Sequence, residues 1–199
     1  MARRGRPKGV DSAETRLRII DAARVEFASC GFDGASIAMI AAAADLAPSA
    51  VYHYFGGKAA LYEQVFESTA EAIWQSVDEA LAHDTLLANM ESLVDFTLTM
   101  SVERRQYSDF LALFPMESSL HLDFAHMLDW RSKRQDTTFL ALAEMGIATG
   151  ELDGFDPSTG TELLRSLIMG WFYETYIHGR PYERAGESLV TLIRLLGER

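Results

Sequence analysis

The sequence predicts an all-α protein of about nine helices: a small three-helix N-terminal domain containing a helix–turn–helix, then a longer helical bundle. Three observations carry this reading. Apolar residues recur at i, i+3 and i+4 along most of the 199 residues, no stretch alternates with period two for long enough to make a strand, and only 5 prolines interrupt the chain. Apolar residues make up 48% and charged residues 24%, which excludes wholesale disorder.

The elements follow in order. Asp11-x-x-Glu14 can cap a first helix whose apolar face runs through Leu17, Ile20, Ala23 and Phe27, with Gly31 and Gly34 marking its end. Ser36 can N-cap a short second helix containing Ile37, Ile40 and Ala41. A break near Asp45–Ala47 leads to Pro48, which suits the first turn of a third helix ending at Phe55. Gly56-Gly57 stops that helix, and a long one should begin near Lys58 with a stripe through Leu61, Val65, Ile73 and Val77. Further helices are expected over about 86–104, then 107–114 ended by Pro115, then 119–147. Asp156-Pro157 starts the next, which runs to His178, where Gly179 and Pro181 close it; the last covers about 183–196.

Charge is segregated. The chain carries 18 basic and 29 acidic residues, a net charge of −11. Residues 1–58 hold 8 of the basic and 6 of the acidic side chains, leaving −13 for the rest. A basic end on an acidic body can meet a polyanion while the body stays off it. One cysteine, Cys30, excludes a disulfide framework and a multi-Cys zinc site, and its place after an apolar helix reads as packed rather than reactive. The longest apolar run, Ile37–Ala44, is too short to span a bilayer, and the start of the chain has no apolar signal segment. A cytoplasmic protein with no membrane partner is therefore expected.

Residues 36–55 have the size of a DNA-reading helix–turn–helix. On its second helix Val51 and Phe55 can face inward with Leu46, leaving Ser49, Ala50, Tyr52 and His53 outward, small or hydrogen-bonding and none acidic. A plain surface αα-hairpin would have the same spacing. The wording separates the two: Ser36-Ile-Ala-Met-Ile-Ala-Ala-Ala-Ala-Asp-Leu-Ala-Pro-Ser-Ala-Val-Tyr-His-Tyr-Phe-Gly-Gly-Lys58 closely resembles the DNA-binding signature of the TetR family of transcriptional regulators. Ile40-Ala41, Val51-Tyr52-His53-Tyr54-Phe55 and Lys58 stand at the family's spacing, and Ala22-Ala23-x-x-Glu26-Phe27-x-x-x-Gly31-Phe32 matches its first helix. The resemblance is strong over about residues 12–65. It implies a basic arm over 1–10, a DNA-binding domain over 11–57, and an effector-binding and dimerisation domain over 58–199. It also implies a ligand-responsive repressor that binds a palindromic operator in double-stranded DNA as a homodimer.

DNA contacts are accordingly expected from Arg3, Arg4, Arg6 and Lys8 of the arm, Ser36 and Ala38 of the second helix, Pro48, Ser49, Ala50, Tyr52, His53 and Tyr54 of the third, and Lys58, which should clamp a phosphate. The sequence departs from the family pattern in places. Asp45 replaces the usual turn glycine, Ala47 the usual Ser/Thr cap, and Ala35 and Ala38 stand where polar side chains often reach the DNA backbone. The arm contains Arg-Gly-Arg-Pro, suited to a narrow A·T-rich minor groove; a disordered basic tail acting by counterion release is the other reading.

In the bundle, Phe96, Met100, Phe110, Phe114, Phe124, Met127, Trp130, Phe139, Trp171 and Tyr176 are candidates to line a cavity for a small apolar or aromatic ligand, with ordinary core packing as the alternative. Gly170 and Leu189, Leu192, Ile193 and Leu196 of the last two helices are candidates for the dimer interface, since the last helix is apolar on more than one face. No cofactor and no metal are expected. His121 and His126 lie five apart rather than the four of a helical metal pair, and no phosphate loop or nucleophile–base pair stands out. A small helical enzyme is the weaker alternative, and a helical adaptor without DNA binding the other.

Overall fold

The computed structural model describes residues 8–178 and 183–198, with side chains over 12–176 and 183–198. Among these residues there are nine α-helices, one 3-10 turn and no strand. The helices are α1 (Lys8–Gly34), α2 (Ile37–Ala43), α3 (Pro48–Phe55), α4 (Lys58–Ala80), α5 (Leu86–Glu103), α6 (Arg105–Leu120), α7 (Ala125–Ala148), α8 (Pro157–His178) and α9 (Glu183–Gly197), with the 3-10 turn at Leu122–Phe124. The chain forms two compact units that divide after Ala70, within α4.

The first unit is built on the apolar faces of α1 to α4. Ile19, Ala23, Ile40, Ala41, Val51, Leu61 and Val65 are wholly buried. The unit extends past the 57/58 boundary drawn from the sequence because Leu61, Tyr62, Val65 and Phe66 of α4 belong to its core. Tyr62 packs edge-on against Phe27 (4.9 Å between centroids) and Phe32 (5.3 Å). Arg24, 2% exposed, crosses from α1 to α4 and donates to Thr69 Oγ1 (2.8 Å), Ser68 Oγ (3.1 Å) and Asp21 Oδ1 (2.6 Å), so its buried charge is paired and its N–H groups are used. α1 is already helical at Lys8, three residues before the expected Asp11 cap; no strong breaker stands between Pro7 and Asp11. Cys30 is exposed rather than packed, its thiol donating to Glu26 O one turn back.

The second unit has an apolar core that gathers Leu86, Met90, Phe139, Leu142, Leu152, Leu164, Trp171, Leu189 and Ile193 from α5, α7, α8, α9 and the 149–156 loop. That loop also fixes α5. Both carboxylate oxygens of Glu151 accept from the first-turn amides of Leu86 and Leu87 (2.8 Å each), while Thr85 caps Ala88 N. Asp156 caps α8 as expected, accepting from Ser158 N (3.0 Å), Thr159 N (3.1 Å) and Thr159 Oγ1 (2.6 Å).

The middle helices differ from the sequence reading. Pro115 does not end a helix; α6 runs through it to Leu120. An interior proline costs about 3 kcal/mol, but Phe110, Leu111 and Phe114 before it and Ser118 after it are all buried, so packing outweighs the lost hydrogen bond. The break falls instead at His121, which is extended (φ −121°, ψ 96°), and it divides the single helix expected over 119–147.

Candidate nucleic-acid interface

The reading geometry starts at Ser36. Its hydroxyl accepts from Met39 N (3.2 Å) and starts α2, which buries Ile37, Ile40 and Ala41. The opposite face presents Ala38, Met39, Ala42 and Ala43 to solvent. Asp45 takes up the left-handed backbone (φ 54°) that turns the chain into α3, so aspartate fills the place of the usual glycine. Arg18 braces the turn by donating to Ala44 O.

On α3, Val51 and Phe55 are buried and the Arg16 guanidinium lies 5.1 Å from the centroid of the Phe55 ring. The outer face carries Pro48, Ser49, Tyr52 and His53, all exposed, with Ala50 and Tyr54 half-buried; Tyr52 is 55% exposed although aromatic. No side chain caps the start of α3, because Ala47 has none to offer; Pro48 has no N–H to satisfy, and Ala50 N donates to Ala47 O (2.9 Å). Gly56 ends it in the left-handed region (φ 79°), where a side chain would be strained.

Lys58 is placed otherwise than the sequence reading supposes. Its ammonium turns inward, donating to Phe32 O (2.8 Å) and Ala35 O (3.0 Å) and lying 4.4 Å from the Phe32 ring centroid. Two of its three protons close the α1–α2 connection, so its first role is to hold α4 against that turn. Ala35 is buried, so it has no place on the reading face. Of the arm, Arg3, Arg4 and Arg6 lie outside the described residues, as does the side chain of Lys8.

Residues 19–65 match the family model of the bacterial regulatory proteins of the TetR family, the stretch that makes up the core of this unit. Over these residues the chain matches the TetR family. Among curated proteins it is similar to the HTH-type transcriptional repressor AcnR of Corynebacterium jeikeium, at 30% identity over 84 residues, which is 42% of each chain; the match thus spans less than half of that repressor's length. Solved TetR-like folds match much more of the chain. A TetR transcriptional regulator from Chloroflexus aurantiacus has a TM-score of 0.77 at 23% identity, covering 93% of this chain and 96% of that one. GusR of Salmonella enterica has a TM-score of 0.70 at 24% identity, over 94% and 96%. The ketosteroid transcriptional regulator KstR2 of Mycobacterium tuberculosis has a TM-score of 0.72 at 16% identity, over 92% and 93%.

The bundle sorts the remaining candidates. Met100, Phe110, Phe114, Phe124, Met127, Phe139 and Trp171 are all less than 10% exposed; Phe139 and Trp171 belong to the apolar core of the unit. Trp130 is 46% exposed, which takes it out of an interior lining, and Phe96 packs half-buried against the core. Only Tyr176 of these ten residues lines the described cleft, an open one with about 20 Å³ of enclosed space bounded by Thr97, Ser101, Arg105, Ser108, Asp109, Phe172, Thr175 and Tyr176. This cleft is richer in hydroxyls than the apolar pocket expected from the sequence. Burial raises the Tyr176 phenol pKa, Asp109 raises it further and Arg105 opposes.

Two interface candidates are also corrected. Leu189 and Ile193 point into the bundle, 6% and 0% exposed, because they complete the core against α5 and α8. Gly170, with nothing within 4 Å of where a Cβ would stand, Leu192 at 38% and Leu195 at 56% form the solvent-facing set; Leu196 is half-buried. Leu195 stands at i+3 from Leu192, on the same solvent-facing side of α9. Among the described residues no group of three or more His, Cys, Asp or Glu is arranged to hold a metal, and no helix is long and apolar enough to cross a membrane.

Proposed function

We propose that the protein is a sequence-specific DNA-binding transcriptional regulator, a cytoplasmic ligand-responsive repressor rather than an enzyme, that binds a palindromic operator as a homodimer. The observation that carries this is the outer face of α3. Ser49, Tyr52 and His53 stand out from a compact unit beside a helix start without a side-chain cap, with no acidic side chain among them. Such a face suits approach to base edges and phosphate oxygens of the major groove. Ser36 is engaged in its cap and Ala38 is too short to reach far, so α2 contributes backbone approach more than side-chain grip. The arm residues Arg3, Arg4, Arg6 and Lys8 supply the counterion-releasing contacts that Lys58 is less free to make.

One module buries little DNA, so two copies reading two half-sites supply the affinity, with Gly170, Leu192, Leu195 and Leu196 at the contact between them. A ligand held in the bundle favours a dimer shape whose reading heads are wrongly spaced for the operator. Coupling of that kind is reciprocal, so DNA weakens the ligand by the same factor. Repression is supported by the name of the curated relative, a transcriptional repressor.

The test is selection of bound fragments from genomic and random duplex pools at low salt. Enrichment of one inverted repeat, with an affinity that falls steeply as salt rises, is expected. Retention of no fragment would remove the proposal. Exchange of Ser49, Ala50 and His53 should then alter the preferred half-site.

A further inference from the structure

The interior of the bundle holds a charge with no counter-charge among the described residues. Arg131 of α7 is 6% exposed, and among the described residues no carboxylate is paired with it. The phenol of Tyr173 on α8 lies beside it. Burial pushes the guanidinium pKa down and the phenol opposes the shift, but an arginine keeps its proton in a protein, so the charge stays. Arg24, just as buried, shows what a resident structural arginine looks like here: three side-chain acceptors, one of them a carboxylate.

The next position on the same face of α7 repeats the pattern. Gln135 stands one turn from Arg131, and its amide donates to the thioether of Met169 at 3.5 Å, a weak acceptor. Met169 stands one turn before Tyr173 on α8. Two adjacent rungs of the α7–α8 seam, Arg131–Tyr173 and Gln135–Met169, therefore offer donors and, among the described residues, no paired carboxylate; Arg131 is buried and the other three are half-buried. A buried guanidinium without a counter-charge is destabilising until an acceptor meets it.

We infer that the α7–α8 seam is the head-group site for a small carboxylate with an apolar body, its two oxygens received by the Arg131 fork with Gln135 and Tyr173 as further donors. Planar bidentate pairing is what a guanidinium does best, and a carboxylate is the common organic acceptor that fits it. Met127, one turn before Arg131 on α7 and 4% exposed, together with Met169, gives the body of the ligand adaptable apolar contact. The ligand's role as effector rests on the regulator reading above; its binding does not, and is tested without DNA.

The experiment is calorimetric titration of the full chain with octanoate and benzoate, each beside its uncharged amide, together with melting curves of the native chain and of Arg131→Met and Arg131→Lys. At least one acid should bind and raise the melting temperature, with its amide about tenfold weaker or more. Arg131→Met should lose the acid yet melt no lower than the native chain when no acid is present, since an apolar side chain of similar size replaces an unpaired charge. Arg131→Lys should bind in between. The inference is overturned if neither acid binds, if acid and amide bind alike, or if Arg131→Met binds the acid as the native chain does. It is overturned as well if that variant changes sedimentation from dimer to monomer, which would make a second copy's carboxylate the missing partner. A chain that binds the acid but retains no duplex fragment would keep this site and remove the regulator reading.

Discussion

Lys58 shows how much a single side chain's address matters. With two carbonyl oxygens at 2.8 and 3.0 Å, it works as a fastener inside the reading unit. Lys58→Met should lower stability by about 1–3 kcal/mol, seen as a fall in melting temperature, while the slope of log affinity against log salt stays nearly as it was. A slope smaller by about one unit with unchanged melting would return Lys58 to the phosphate role. Sequence could not reveal this, because Phe32 and Ala35 lie 26 and 23 residues away and their carbonyls become available only once the turn has folded. Ser36 was legible for the opposite reason: its partner, Met39 N, is three residues on. Ser36→Ala should cost about 1 kcal/mol by denaturant titration. Asp156 is equally local. Its hydrogen bonds to the Thr159 hydroxyl and backbone hold its pKa below the ordinary 3.8, so the stability it adds is complete above that value and is lost as pH falls through the lower, folded one. Asp156→Asn keeps the cap without titrating. The native chain should therefore lose ground against it in melts below about pH 4.

Helices were read well where their signals were internal and poorly where packing decided. The starts of α2, α3 and α8 follow from Ser36, Pro48 and Asp156, all visible in the chain. The passage of α6 through Pro115 does not, since only the buried face of Phe110, Leu111, Phe114 and Ser118 keeps that helix going. α5 is another case. Its first amides are held by Glu151, 64 and 65 residues further on. Glu151→Ala should cost about 1–2 kcal/mol, measurable by chemical denaturation. α3, by contrast, lacks a side-chain cap, and Ala47 already has the extended backbone of a capping residue (φ −78°, ψ 148°). Ala47→Ser should stabilise the chain by about 1 kcal/mol in the same measurement. α9 depends on a close approach. A Cβ on Gly186 would stand 2.9 Å from Val94 Cγ1 and 3.0 Å from Trp171 Cζ2, so Gly186→Ala should loosen α9 at a cost of about 1–3 kcal/mol.

For the molecule as a whole, the all-α class and the pair of short helices α2 and α3 were legible in the sequence, because these rest on periodicity and on a local motif. The sequence yielded less of the bundle, where ten aromatic and Met candidates are mostly core and the sharper feature is a charged side chain, Arg131, whose burial no local pattern announces. The proposed dimer surface lies between these cases: apolar residues on α9 were visible, but which of them face solvent depends on the helix's rotation against α5 and α8. Leu192→Glu with Leu195→Glu should leave the core intact and shift sedimentation towards the monomer, with loss of operator affinity; an unchanged dimer would place the contact elsewhere. Cys30 adds a practical consequence. The chain has one thiol, it is exposed, and it sits on α1 within the reading unit. A maleimide dye would mark each protomer once, without engineering. In a symmetric pair, energy transfer between the two dyes becomes a ruler for the gap between the heads, read once on the operator and again after an inducer is added.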